Sequence, residues 1–180
     1  MAGRAVVAGA LGLWCAACAG GQAASGGGVP GDASGTYAHV ADGMTTELNR
    51  LRAARRLQTL RTDPALVRAA TDYAAELATR RTLDHHSPVP GRHTHTQRID
   101  HAGGRWQRAA ENLASTYGEA AEVPAKIIEM WLGSDMHRRN LLEAEYTHTG
   151  AGIARDTRGQ WYIVQLYTLQ PASCRGLVRC

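Results

Sequence analysis

The chain has 180 residues and a mass of 19.3 kDa, with 44% hydrophobic residues, 20% charged residues and a formal net charge of +4. These values fit one domain of ordinary globular composition and exclude a collagen-like, fibrous or wholly disordered chain. Nearly all the basic residues are arginine and none form a run, so the surplus is too weak to mark a nucleic-acid binder.

Residues 1–18 read as an export signal. Arg4 is the single charge, and the apolar stretch from Ala5 through Ala19 is short for a membrane span of roughly 20 residues but suits a signal-peptide core. Within it lies Cys15-Ala16-Ala17-Cys18. Small residues just before a cysteine resemble a bacterial lipobox, in which Cys18 would be acylated and become the mature N-terminus. Cys15 stands where a leucine is usual, and cleavage near Gly21-Gln22-Ala23 is the competing reading. Both readings carry the chain out of the cytoplasm. Residues 19–36 are dominated by Gly, Ala and Ser, with Asp32 as the only charge. Such a segment cannot bury enough surface to offset its backbone entropy, which predicts a flexible tether.

The folded part is expected over residues 37–172. Val40, Met44, Leu48, Leu51 and Leu57 fall near one face at helical spacing, with Arg50, Arg52, Arg55 and Arg56 mostly elsewhere. Asp63 followed by Pro64 marks the start of a second helix, whose stripe is Leu66, Ala70, Tyr73, Ala74 and Leu77 and whose end falls near Thr82. A polar loop from Asp84 to His101 then holds five of the eight histidines. A third helix is predicted over residues 119–133, with Pro124 tolerable only in its first turn. Residues 150–155 and 160–169 are strand-like around the hairpin loop Asp156-Thr157-Arg158-Gly159. Helices followed by an antiparallel hairpin give an α+β class.

Certain phrases recur along this order: Asp84-His85-His86-Ser87-Pro88, Ala110-Glu111-Asn112-Leu113-Ala114, the run from Trp131 to Asn140, and Gly150-Ala151-Gly152-Ile153. Together they resemble the CAP superfamily of cysteine-rich secretory, antigen 5 and pathogenesis-related proteins, and more closely its bacterial SCP-domain branch. The resemblance covers about residues 40–170. It implies an α-β-α sandwich with a small antiparallel sheet between helices, and a cleft lined by two histidines and one or two glutamates. Matched motif by motif, His85, Glu111 and His137 carry that cleft. Ser134 stands where eukaryotic members have a second glutamate, and Met136 replaces a small residue, a change expected to crowd the cleft.

Two imidazoles and a carboxylate suit zinc or another divalent cation, and equally a general acid/base pair; spacing does not choose between them. His93 and His95, with His86 or His101, suggest at most an accessory metal site, and a solvated loop is the preferred reading. Trp131 and Trp161 read as core anchors, and Asn112 and Asn140 as partners for backbone groups around the cleft. No Gly-x-Ser-x-Gly elbow is present, which argues against a serine hydrolase. In the tail, residues 173–180, Cys174 and Cys180 would close a small disulfide loop in an oxidising compartment, stabilising by about 2 kcal/mol. The functional expectation is an exported envelope or extracellular module that binds an envelope ligand, a lipid or a partner protein. It contacts a membrane only through an N-terminal lipid anchor. A metal-dependent, peptidase-like hydrolase with Glu111 as base is the alternative.

Overall fold

The computed structural model describes residues 33–171. The signal region, Cys18, the Cys174–Cys180 pair and most of the tether lie outside the described residues. The elements are α1 (Ala33–Ala54), β1 (Arg61–Thr62), α2 (Pro64–Arg80), α3 (His95–His101), β2 (Arg108–Thr116), α4 (Val123–Leu132), α5 (Asp135–Leu142), β3 (His148–Arg155) and β4 (Trp161–Leu169). The strands form one sheet in the order β1-β3-β4-β2. β3 pairs with β4 and β4 with β2, both antiparallel, while the two-residue β1 runs parallel to β3. The sheet is therefore mixed.

Alternation along β4 fixes the layers. Trp161, Ile163 and Tyr167 pack with Val40, Met44 and Leu48 of α1, Ile127 and Trp131 of α4 and Leu141 of α5. Tyr162, Val164 and Leu166 face the other way, onto Leu66, Ala70, Tyr73 and Leu77 of α2 and Ile99 of α3. A strand buried on both faces belongs in the middle of a sandwich, so the expected α-β-α architecture holds. β3 brings α2 unusually close. A Cβ on Gly150 would lie 2.5 Å from the backbone of Leu66 and Val67, and one on Gly152 would overlap the backbone of Ala70.

Local signals explain several boundaries. The Asp63 carboxylate accepts hydrogen bonds from the Ala65 and Leu66 N–H groups, at 2.7 and 3.3 Å, and so caps α2. In the β3–β4 loop, Asp156 accepts the N–H groups of Arg158 and Gln160, both at 2.9 Å, and Gly159 takes the left-handed φ of 86°.

Four expectations need correction. α1 starts at Ala33 and so takes in the last four residues of the expected tether. It ends at Ala54, because Arg56 turns left-handed at φ 59° and leaves Leu57 outside the helix. Arg52 is fully buried. Its guanidinium donates to the carbonyls of Gln58, Leu141 and Glu143 at 2.8–3.0 Å, which closes the end of α5. α4 begins only at Val123, since Pro124 must sit in the first turn.

Candidate functional site

β2 is a border strand, and the candidate residues gather around it. Glu111 points to the α2–α3 side, where it is almost completely buried. There its Oε1 lies 2.8 Å from His85 Nδ1, and its Oε2 accepts a 2.7 Å hydrogen bond from Arg98. His85 enters on the loop that follows α2 and stays largely open to solvent. No described residue contacts its Nε2 by a hydrogen bond.

Arg98 is the organiser that sequence reasoning missed. It is 4% exposed, and its guanidinium reaches the carbonyls of Arg92 and His93 at 3.1 Å and of His85 at 3.4 Å. The same group stacks 3.5 Å above the Tyr73 ring. Tyr73 donates its hydroxyl to the Asp84 carbonyl, and Ser87 donates to Glu76 of α2 at 2.8 Å. The loop is thus tied to α2 at two points and to Arg98 at several, which sets the His85 ring against Glu111. The discoverable signal was Thr94-x-x-Gln97, whose reciprocal side-chain and backbone bonds form the capping box of α3.

His137 arrives from the opposite side, in the first turn of α5 rather than in the expected turn. Its ring lies against Trp131, with centroids 6.2 Å apart. Asn112 donates to the His137 carbonyl at 3.2 Å, and Asn140 donates to Asn112 Oδ1 at 2.8 Å and to the Glu111 carbonyl at 3.4 Å. The two asparagines therefore satisfy backbone groups around the site, as expected. Met136 is 70% exposed and turned outward, so it does not crowd the cleft. Trp131 and Trp161 are buried core anchors; Trp131 Nε1 donates to the Leu113 carbonyl at 3.1 Å.

His95 also belongs to this neighbourhood. Its imidazole senses the charges of Glu111, Arg98 and His85. Side chains of Asn140 and Trp131 reach the carbonyls of Glu111 and Leu113, alternate residues along the border strand. Electrostatics separate the histidines. The hydrogen bond to Glu111 raises the His85 pKa above its ordinary value, whereas burial lowers those of His95 and His137, the latter helped by the charge of His85. The remaining loop histidines form no metal cluster: His86 and His93 stack at 5.0 Å, His93 bonds to the Ser87 carbonyl, and His101 meets Arg92.

The three-ligand metal set does not fit. Among the described residues no group of three or more His, Cys, Asp or Glu is placed to hold a metal ion. Both Glu111 oxygens are also engaged, one by His85 and the other by the buried Arg98 guanidinium. What remains for a metal is a pair of imidazoles, His85 and His137, with water completing any shell.

The model of the cysteine-rich secretory protein family, CAP, matches residues 45–167. Two Bacillus subtilis proteins are similar in sequence. The uncharacterized protein YkwD is 27% identical over 96 residues, 53% of this chain and 35% of YkwD. The uncharacterized membrane protein YlbC is 38% identical over 66 residues, 37% of this chain and 18% of YlbC. The match therefore spans about a third or less of those relatives. Among solved structures, an extracellular SCP-domain protein from Bacillus anthracis aligns with a TM-score of 0.63 at 23% identity, over 73% of this chain and 41% of that one. An outer surface protein from Borrelia burgdorferi aligns with a TM-score of 0.61 at 26% identity, over 71% of this chain and 90% of that one.

Proposed function

This chain belongs to the cysteine-rich secretory protein family, with solved neighbours of the bacterial SCP type, and on that premise we propose that it is an exported ligand-binding module. Export is supported by the apolar leader and by the extracellular and outer-surface character of two structural neighbours. No helix among the described residues is long and apolar enough to cross a membrane. Acylation of Cys18 would hold the domain at the cell envelope.

The observation that carries the binding reading is the Arg98–Glu111–His85 chain. A buried carboxylate with one oxygen on Arg98 and the other on His85 positions the imidazole. Glu111 holds the His85 ring by Nδ1 and leaves Nε2 facing solvent as a recognition group. His137 adds a second imidazole across the border strand. A metal-dependent hydrolase with Glu111 as its base has less support, because that role needs an unengaged carboxylate oxygen.

Zinc is the first probe. Calorimetric titration of the full chain at pH 7.5 should give weak binding, as two imidazoles with no carboxylate ligand imply. Binding should vanish in the His85→Ala, His137→Ala double variant, and near pH 5, where protonated imidazoles cannot coordinate. Unchanged zinc affinity in the double variant would overturn metal recognition at this cleft. Peptide turnover lost in the same variant would replace the binding module by the hydrolase.

A further inference from the structure

We propose that a cavity beside β1, separate from the histidine cleft, binds a phosphate ester through Arg61 and Arg105. Its volume is about 590 Å3, which holds a phosphate and an attached group with room to spare. Arg61 and Thr62 of β1, Arg105 and Gln107 of the segment before β2, and Thr147 and His148 at the start of β3 line it. Residues 169–171 close the far wall. Segments far apart in sequence thus deliver two guanidiniums, two hydroxyls, two amides and an imidazole to one concavity, and no carboxylate of the described residues lines it.

The charge in this cavity is unanswered. Several arginines elsewhere meet acids, as Arg98 meets Glu111, Arg108 meets Glu143 and Glu145, and Arg81 and Arg158 meet Asp156, while others such as Arg55 stand alone among the described residues. Arg61 and Arg105 make no side-chain hydrogen bond or ion pair among the described residues. The carboxylate adjacent in sequence, Asp63, is committed to capping α2 and to the Gln170 side chain. Burial, helped by the charge of Arg61 and opposed by that of Asp63, lowers the His148 pKa, so the positive charge comes from the two arginines. Two exposed guanidiniums at one concavity, neither of them ion-paired among the described residues, leave their charge and donors available to a bound oxyanion. Guanidinium forks match phosphate oxygens two at a time, and the hydroxyl of Thr62 and the amide of Gln107 supply further donors, while the Thr147 hydroxyl is held by Thr168, Gln170 and His148.

The source of the phosphate is either a lipid headgroup or a soluble ester, and two probes separate them. Inorganic phosphate titrated into the isotope-labelled full chain should shift the amide resonances of Thr62, Gln107 and His148. Affinity should fall about tenfold or more in the Arg61→Ala, Arg105→Ala double variant. Arg55→Ala, which removes another arginine without a partner, should leave it unchanged. Both cavity arginines are exposed, so the variants should fold normally. Co-sedimentation with phosphatidylcholine vesicles that requires both phosphatidylglycerol and the two arginines assigns a headgroup. Phosphate shifts without such sedimentation assign a soluble ester. Absence of cavity shifts and of arginine-dependent sedimentation, or an equal loss in Arg55→Ala, would overturn the proposal.

Discussion

At the residue scale, Glu111 governs the titration of its neighbours. The raised pKa of His85 rests first on its hydrogen bond to this carboxylate, so Glu111→Gln should lower the His85 titration point and narrow its distance from His137 and His95. Proton NMR of the imidazole signals measures this directly, and an unmoved His85 would show that the charge comes from elsewhere. The linkage has a definite sign. Protonated His85 stabilises the fold fully below its unfolded pKa, and that contribution is lost as pH rises through the raised folded value. His95 and His137, held neutral by burial, act oppositely: their contribution is present above the unfolded pKa and is lost as pH falls through their lowered values. Because the His85 side chain is 61% exposed, its own share is small. Arg98 differs. Arg98→Ala leaves Glu111 buried without its cation and should cost about 3–5 kcal/mol in urea unfolding; a loss below about 1 kcal/mol would mean that water replaces the guanidinium.

At the element scale, the sheet–helix contact at β3 is the most demanding. Gly152→Ala would push a methyl group into the backbone of Ala70, where no flexible side chain can yield. A destabilisation above about 3 kcal/mol is expected, against about 1–2 kcal/mol for Asp63→Ala, which removes the α2 cap and a hydrogen bond from Gln170. Thermal melts of the two variants check the ranking, and near-equal shifts would contradict it. The same elements show what local sequence conveys. Asp63-Pro64 announced α2 because a cap and its first turn are adjacent in the chain. α3 and α5 were hidden because each buries little: Arg98 and Ile99 in one, Leu141 in the other. Their apolar periodicity is too sparse to register beside so many polar neighbours. Arg52 resembled a surface arginine because its partners Leu141 and Glu143 lie far along the chain.

At the scale of the whole molecule, the sandwich was legible in the alternation of β4 and the stripes of α1 and α2. The contact of His85 with Glu111 was not, since a loop and a strand far apart in sequence supply them, and His137 comes from a helix on the other side of the sheet. Only the motif resemblance nominated them, and it passed over Arg98 and His95. The leader bears on placement of the whole molecule. If Cys18 is acylated, Cys18→Ser should move the protein from the membrane fraction to the soluble fraction, and equal partition of both forms would indicate ordinary secretion. The border strand β2 has a consequence of its own for proteins held close together. An open strand margin offers unpaired carbonyls to any passing extended segment, and so seeds oligomers and fibres. Here the Glu111 and Leu113 carbonyls are taken by Asn140 and Trp131. The side chains that frame the cleft thus also occupy part of this margin, so β2 should template an added strand less readily than an open edge would.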